Sequence, residues 1–414
     1  MRLLGLEIKR VITTKITWLL LCCMFALAVL MAYLPVTFEG AVVTDENGEE
    51  FEITGFEAVR YFQEKNELFG EVTEENLEQA ATVYQEVYEA YDSDYGNEIP
   101  AGVFYARLAE YRPFIKGIKE AFADEQTGIA PGVRDLDLDK IEDYYEMLPK
   151  RLASVMDMEQ KDYSSAKEAA FHKFDKVCLP YQYYYGASSN SMDYETLLIF
   201  LMTILGVIIT ATVFSSDYQT KADDILRCTR HGRMKIAGIK VLASFIITGS
   251  AYLICGAIWI LLTNIFFGWD GTKTSMQMIF SVTSLPSFNI GQLQWVNLLG
   301  GLILFLSTIG FTLLISASAK DNVSAVALGI FGVLLPTIVY VMGVPGALGD
   351  WLSCLLPSGG IGLGNALLYS MYDFIFLHIG KASFWNVDVL LFVGIIKIPV
   401  FLAGAMVSYC RRYA

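Results

Sequence analysis

Six long runs of apolar residues divide the chain, and polar segments of very different lengths separate them. Each run holds about 18 to 27 mostly apolar residues, and an α-helix needs about 20 residues to cross the hydrocarbon core of a bilayer. The runs cover residues 17–35, 194–214, 241–267, 296–317, 323–342 and 387–409. The pattern therefore predicts an all-α, polytopic membrane protein with six transmembrane helices.

A polar block at 36–193 separates the first two runs, and apolar residues recur within it at helical spacing. One such stripe covers 74–91, and Thr73 with the acids that follow it is typical of a helix start. A second stripe covers 103–122, where a kink at Pro113 is expected. An Asn-Gly pair at 47–48 lies between two short stretches of strand-forming residues and predicts a hairpin over 41–53. We expect a mainly helical domain.

Charge is distributed unevenly between this block and the rest of the chain. The whole chain has a net charge of −14 and is 54% hydrophobic, which is too apolar for a soluble chain of this length. Residues 36–192 carry 33 acidic and 14 basic residues, whereas the remainder carries 11 acidic and 16 basic residues. The block and the remaining polar segments are therefore expected to face different solvents.

The basic residues outside the block indicate an orientation. They concentrate in four segments, namely 1–16, 215–240, 318–322 and 410–414, and they are scarce in 268–295 and 343–386. If six helices alternate, all four basic segments lie on one side. The positive-inside rule then predicts a multi-pass cell-membrane protein with cytoplasmic N- and C-termini and an extracellular acidic domain.

Two of the cytoplasmic segments have helical patterns of their own. Residues 1–16 predict an amphipathic helix that lies in the headgroup layer, with Leu3, Ile8 and Val11 on its apolar face. The loop 215–240 predicts a short exposed helix that ends near Gly232. That helix is either a docking element for another protein or part of a solvated basic loop.

Several of these features together resemble the permease subunit of an ABC-2-type ABC transporter. They are the amphipathic N-terminal helix, the Phe-Ser-Ser-Asp-Tyr sequence at 214–218, the His231-Gly232-Arg233 turn and Lys240 at the start of the third span. The six-span layout is also similar, and the family often has short re-entrant helices in the segment that corresponds to 343–386. The large insert departs from many members of that family.

The resemblance implies partners and roles. It implies a cytoplasmic ABC ATPase, a second permease in a homo- or heterodimer that often forms through spans one and five, and export of an amphipathic or hydrophobic substrate such as a peptide, lipid-like molecule or drug. The loop 215–240 would be the coupling helix that docks on the ATPase. The ATPase-coupling candidates are Asp217, Lys221, Asp224, Ile225, Arg227, Arg230, His231 and Arg233.

The chain itself lacks the G-x-x-x-x-G-K-[ST] phosphate-binding loop. ATP would therefore be bound and hydrolysed on the partner subunit, so this chain is expected not to be an enzyme and to hold no cofactor or metal. Nucleic acid is not an expected partner. A membrane sensor, with a ligand-binding extracellular domain and a loop 215–240 that engages a cytoplasmic partner, is the alternative. An intramembrane enzyme is disfavoured because His172, His231 and His378 are dispersed.

Single features remain open to two interpretations. Lys397, in the middle of the sixth span, either snorkels or pairs with a backbone carbonyl, or else lies in a translocation path. The tyrosines at 181 and 183–185 form either an interfacial belt or a substrate-binding lip. Acids at 135, 137, 139 and 146 have the spacing of a calcium loop, but Lys140 replaces the required glycine, which favours an acidic helix start. Cys178 and Cys354 are either bridged or free.

Overall fold

Six membrane-length helices dominate the computed structural model, which describes residues 2–45, 48–65, 68–222, 232–344 and 346–411. A shorter helix, α1 (Arg2–Ile12), precedes them. The six are α2 (Lys15–Thr37), α9 (Ser189–Thr220), α10 (Gly232–Phe267), α12 (Ile290–Ser318), α13 (Asn322–Val341) and α16 (Asn386–Arg411). The predicted all-α, polytopic membrane fold is confirmed.

Two of these helices are much longer than the apolar runs that predict them. Helix α9 has 32 residues and α10 has 36. At about 1.5 Å per residue both exceed the hydrocarbon core, which is about 30 Å thick. Both therefore extend into the aqueous layers, where polar residues continue the helix beyond the apolar run.

The bundle has two chemically distinct ends. One end, the loop face, holds α1, the end of α9, the start of α10, the α12–α13 turn and the end of α16. Contacts join these parts: Ser318 and Ser408 share a hydrogen bond of 2.9 Å, and Tyr218 donates to the Ala317 carbonyl at 3.1 Å. The other end, the insert face, holds the polar block and the segments 268–289 and 342–385. The described parts of the four basic segments therefore share one end of the bundle.

Glycines allow the membrane helices to approach closely. A Cβ atom at Gly301 of α12 would lie 2.4 Å from the Tyr252 hydroxyl of α10, and one at Gly329 of α13 would lie 2.7 Å from Val207 of α9. Contacts this short do not occur between real atoms, so larger residues would push the helices apart. Small residues thus replace the hydrophobic effect, which is absent between helices in lipid, with close packing.

The described residues of the insert form short strands and six helices. Its strands are β1 (Gly40–Thr44), β2 (Glu50–Thr54), β3 (Gly70–Glu71) and β4 (Gln182–Tyr183). Its helices are α3 (Phe56–Lys65), α4 (Glu74–Ala90), α5 (Ala101–Val103), α6 (Arg112–Ala121), α7 (Tyr144–Glu159) and α8 (Ser164–Phe174). Helical turns at Phe104–Leu108, Ala109–Tyr111 and Leu138–Asp143 precede α6 and α7.

Local sequence signals account for several of these elements. Strands β1 and β2 pair antiparallel with Gly40 opposite Thr54, which confirms the predicted hairpin strands. The Thr73 hydroxyl accepts from the Asn76 amide at 3.2 Å and caps α4, as predicted. The chain is helical over 103–121, but π- and 3₁₀-helical turns at Phe104–Leu108 and Ala109–Tyr111 precede the regular α-helix that begins at Arg112, where a proline in the first turn suits a helix start.

The insert packs against the segment 268–289, which contains a helical turn at Asp270–Lys273 and the short helix α11 (Met276–Ile279). Tyr181 is fully buried and its hydroxyl donates to the Val282 carbonyl at 2.6 Å. Gln182 and Ser275 are also hydrogen-bonded: the Ser275 amide donates to the Gln182 carbonyl at 2.9 Å. Tyr181 thus belongs to the core of the insert rather than to a belt of lipid-facing aromatics.

A second contact joins the insert to the segment between α13 and α16. This segment contains α14 (Gly346–Leu355), α15 (Leu367–Tyr372) and the hairpin of β5 (Phe376–Ile379) and β6 (Ala382–Trp385). The Gln160 side chain donates to the Phe374 carbonyl at 2.9 Å and also bonds His378 at 3.1 Å. The Tyr163 ring stacks on His378, so the end of α7 and the start of α8 hold the hairpin in place.

All cysteines that the structure describes are free. Cys178 is exposed on the insert, whereas Cys354 is buried at the end of α14 and donates to the Asn386 amide oxygen at 2.9 Å. The bridged alternative for Cys178 and Cys354 is therefore wrong. Because the Cys354 thiol is buried and already hydrogen-bonded, it cannot reach the exposed Cys178.

The contact between the insert and the hairpin predicts a pH dependence at Asp373. Burial, followed by the negative charge of Glu159, raises the pKa of Asp373 to about 6. Because an unfolded aspartate titrates near 3.9, this carboxyl stabilises the fold fully below about pH 4, and that contribution is lost as the pH rises through about 6. Asp373→Asn should therefore raise the unfolding temperature at about pH 7.5 and leave it unchanged at about pH 4. The exposed Asp162 provides the control substitution, and equal shifts for both variants would contradict this assignment.

Candidate functional site

Four charged side chains meet at the loop face, where α1 crosses the ends of α9 and α10. The Lys240 ammonium lies 2.7 Å from Asp217 Oδ2 and 3.3 Å from Glu7 Oε1. The Arg10 guanidinium lies 3.2 Å from Asp217 Oδ1 and 2.6 Å from Glu7 Oε1. Each acid therefore contacts both bases, and we call these four residues the charge cluster.

The charge cluster is anchored by two side chains that water hardly reaches. The side chains of Asp217 and Lys240 are only 4% and 3% exposed. Buried charges are tolerated when they are paired and hydrogen-bonded, and here two positive charges balance two negative charges. Burial raises the pKa of Glu7, but the nearby Lys240 and Arg10 charges lower it by more, so the pKa of Glu7 lies below its ordinary value.

The surrounding helices explain why these side chains meet. Val11 of α1 is buried against Ile209 of α9 and Ile247 of α10, so the apolar face of α1 rests on the bundle. The extension of α9 beyond its apolar run carries Asp217 to the level of α1, and the extension of α10 does the same for Lys240. The charge cluster therefore joins both ends of the loop that connects α9 and α10.

The remaining coupling candidates fall into two groups. Lys221 is exposed and ends α9 with a positive φ of 56°, and Arg233 at the start of α10 donates to the Cys410 carbonyl of α16 at 3.1 Å. The candidates Asp224, Ile225, Arg227, Arg230 and His231 lie outside the described residues. Of the candidates that are described, only Asp217 belongs to the charge cluster, where it faces α1 rather than solvent.

The sequence around Asp217 packs on the turn between α12 and α13. The Ser215 hydroxyl lies 2.6 Å from the Asn322 side-chain oxygen, and the Ser316 hydroxyl accepts from the amides of Phe214 and Ser215 at 3.0 and 3.2 Å. The Phe-Ser-Ser-Asp-Tyr sequence thus holds α9 against the neighbouring turn as well as against α1.

A second polar site lies inside the membrane bundle and is built around Lys397. Its ammonium donates to the carbonyls of Cys354 and Leu356 at 2.7 and 2.6 Å. These are the last carbonyls of α14, which have no partner within the helix and carry the negative end of its dipole. Lys397 therefore pairs with backbone carbonyls, and these come from α14 rather than from the helix of Lys397.

The chain after α14 is held by further hydrogen bonds to the bundle. The Ser358 hydroxyl lies 2.9 Å from the carbonyls of both Gly332 and Val333 in α13. Pro336 lacks an amide hydrogen, so the carbonyl of Gly332 is freed from its helical hydrogen bond. Backbone carbonyls without a helical partner are stable at membrane depth only where other protein groups donate hydrogen bonds to them. Ser358 and Lys397 supply those donors.

Glu195 is a buried acid that the sequence patterns do not single out. It lies in the second turn of α9, is 1% exposed, and accepts from the Asn297 amide at 3.1 Å. Its other oxygen, Oε1, is buried without a hydrogen-bond partner among the described residues. The signal was available, because Glu195 is the one acid among residues 194–214.

The calcium-loop interpretation finds no support in the geometry. Asp135, Asp137, Asp139 and Glu146 are all exposed, and Asp137 pairs with Lys140 at 3.0 Å. In the part of the chain that the structure describes, no three His, Cys, Asp or Glu side chains are grouped as a metal ion would require. These acids lie instead around the helical turn over 138–143, in keeping with an acidic helix start.

Comparison with models of known protein families gives no match to this chain, and comparison with curated proteins gives none either. The fold by itself defines a class: the chain is a multi-pass helical membrane protein with a large, mainly helical insert between its first two spans.

The charge cluster predicts a non-additive response to substitution. Lys240→Met should destabilise the protein by about 3–5 kcal/mol, because it leaves Asp217 buried without its closest cation. Adding Asp217→Asn should restore part of that stability. Unfolding of the purified protein in detergent measures both effects, and Lys9→Met, at an exposed position of α1, is the control. Equal losses in the single and double variants would contradict this account.

A second prediction concerns the hydrogen bonds with which Lys397 caps the end of α14. Lys397→Met should increase the rate at which Cys354 reacts with a maleimide by about tenfold, because the end of α14 loses two charge-assisted hydrogen bonds. The measurement uses a variant in which Cys354 is the only cysteine. Lys381→Met, at an exposed hairpin position, is the control, and an unchanged rate for Lys397→Met would show that the cap does not hold α14.

Proposed function

We propose that this protein is the permease subunit of an ABC-2-type ABC transporter, located in the cell membrane with both termini cytoplasmic. A separate ATPase subunit would bind and hydrolyse ATP, and a second permease would complete the transporter. The transported substrate would be amphipathic or hydrophobic, and export is the direction that the resemblance implies.

The charge cluster is the observation that carries this proposal. A permease without its own nucleotide site must receive movement from a bound ATPase through a surface element that is joined firmly to the spans. Asp217 and Lys240 connect the two ends of the loop to each other, and Arg10 and Glu7 connect both to α1. A push on the loop would therefore move α9, α10 and α1 together.

The loop between these ends has suitable chemistry for docking. Residues 221–235 include Lys221, Arg227, Arg230, Arg233 and Lys235 with only two acids, Asp223 and Asp224. Exposed basic residues attract an acidic partner surface and orient it during encounter. The same residues satisfy the positive-inside rule, which supports a cytoplasmic position for the loop face.

Two membrane helices offer surfaces for a second permease. Leu328, Phe331 and Tyr340 of α13 are each more than half exposed, as are Trp18 and Leu19 of α2. Apolar side chains on these helices face lipid or another protein, and the resemblance assigns the dimer interface to spans one and five, which are α2 and α13. The segment around α14 also has the place and the buried hydrogen bonds of a re-entrant element.

The proposal is tested by purifying the membrane complex through a tag on this chain. We expect an ABC ATPase to co-purify with the wild type and to be lost from the double variant Arg227→Glu/Arg230→Glu, because charge reversal repels an acidic docking groove. Lys273→Glu, which reverses one charge at the insert face, is the control and should retain the ATPase.

The outcome also separates the two candidate functions. A cytoplasmic partner that is not an ATPase, bound through the same loop, would favour the sensor alternative. Equal recovery of the ATPase with the wild type and the double variant would contradict the docking role of the loop.

A further inference from the structure

A cavity of about 500 Å³ lies between the insert and the insert-face ends of α2 and α9. Aromatic side chains from four separate parts of the chain line it, namely Phe38, Phe62, Phe104, Tyr105, Tyr183 and Tyr184. Charged and hydroxyl side chains line the cavity together with these rings, and small-molecule sites commonly combine aromatic walls with convergent polar groups. This one lies where the membrane helices enter the aqueous domain.

The charges around this cavity differ from those of the insert as a whole. Three basic residues, Lys65, Arg112 and Lys116, line it together with two acids, Glu39 and Glu110. The surrounding block contains 33 acids and only 14 bases, so the cavity collects basic residues in an otherwise acidic domain.

The two acids of the cavity are not equivalent. Glu39 is half-buried and accepts a hydrogen bond from the Tyr185 hydroxyl at 3.3 Å. Burial raises the pKa of Glu39, so its negative charge is more easily neutralised than that of an exposed glutamate. The neutral form of Glu39 leaves the cavity with an excess of positive charge.

Two of the bases lie close enough to repel each other. The Lys116 ammonium donates to the carbonyls of Ile279 and Phe280 at 3.1 and 2.9 Å, which fixes its position. Burial lowers the pKa of Lys116, and although Glu120 opposes the shift, the positive charge of Arg112 lowers it further. Arg112 is exposed. An anion between these two side chains would relieve their repulsion.

The first cavity has a neighbouring cavity on its membrane side. A second cavity of about 490 Å³ shares Phe38 and Asn190 with the first and extends along α9 to Tyr194 and Leu197. Phe38 is 68% exposed, and its ring stacks on that of Tyr194 with 6.3 Å between centroids. Asp193, the acid in this second cavity, has a hydrogen bond from Tyr369. The two adjoining cavities thus have a basic lining at one end and mostly apolar side chains, with Asp193, on the first turns of a membrane helix at the other.

We propose that these adjoining cavities bind an anionic membrane lipid. Its phosphate-bearing headgroup lies between Arg112 and Lys116, and its acyl chain passes Phe38 toward Leu197 and the bilayer. Arginine and lysine bind phosphate oxygens through charge-assisted hydrogen bonds, and Tyr and Phe supply the amphipathic contacts that are typical of a membrane interface. Phe38 lines both cavities, so an acyl chain that leaves the headgroup site for the bilayer would pass its ring. The assignment does not depend on whether the protein is a transporter.

The experiment uses the full-length protein in detergent micelles that contain equal amounts of phosphatidylglycerol and phosphatidylcholine with identical acyl chains. Native mass spectrometry measures which lipid remains bound. We expect the wild type to retain phosphatidylglycerol preferentially, and Arg112→Gln to reduce that retention about tenfold, as expected for the loss of one charge-assisted contact.

Two further variants separate the site from general effects. Arg107→Gln removes the same charge from an exposed arginine that pairs with Glu86 and does not line the cavity, and it should leave retention unchanged. Ala109→Trp fills the cavity and should abolish retention while the unfolding temperature stays close to that of the wild type.

Several results would overturn the proposal. Equal retention of the two lipids by the wild type would show that the headgroup charge is not recognised. Equal losses in the Arg112 and Arg107 variants would show a general surface effect. Competition by millimolar glycerol phosphate as strong as that by the lipid itself would show a site for soluble phosphates, in which the acyl path plays no part.

Discussion

Hydrocarbon surrounds the six membrane helices, so polar groups within them are stabilised chiefly by partners elsewhere in the chain. This constraint explains the positions of residues that would otherwise look unrelated. Lys397 binds the last carbonyls of α14, and Ser358 reaches a carbonyl that Pro336 leaves unpaired. Because these bonds connect different helices, satisfying the backbone of one segment also fixes the arrangement of its neighbours.

Buried polar groups at the loop face also need partners, and there both partners are charged side chains. Asp217 and Lys240 are nearly inaccessible to water, and each would be strongly destabilising alone. Their pairing requires α1, which contributes Glu7 and Arg10, to lie across the ends of α9 and α10. An element that looks peripheral in sequence is therefore a structural part of the bundle, and it contacts the ends of α9 and α10 that flank the loop for which we propose a partner.

Much of the fold could be predicted from the sequence because its signals are local. The six apolar runs predict six spans, the Asn-Gly pair predicts the strands that flank it, and Thr73 caps α4 through an amide three residues away. The apolar stripe over 103–122 predicts a helix kinked at Pro113, and the chain there is helical, but hydrophobic spacing does not register the π- and 3₁₀-helical turns before Arg112. The lengths of α9 and α10 exceed the predicted spans because hydropathy identifies only the apolar part of a helix and not its polar ends.

The sites were less accessible because their geometry is tertiary. Asp217 could be selected from its position beside a basic loop, but no local pattern pairs it with Arg10. The carbonyl partners of Lys397 lie more than 40 residues away in sequence. The basic cavity combines Lys65 with Arg112 and Lys116, and each of these looks unremarkable in an acidic domain until the fold brings them together.

The charge cluster also has a consequence for how the chain is made. Arg10 and Asp217 are separated by 207 positions, so α1 leaves the ribosome long before its partners exist. At about 5–20 residues per second, the wait is about 10 to 40 seconds. During that interval the first span is already available to the membrane, while Arg10 has only Glu7, three residues away, as its counter-ion. The local pair between Glu7 and Arg10 thus gives each residue one partner until synthesis of α9 and α10 supplies Asp217 and Lys240.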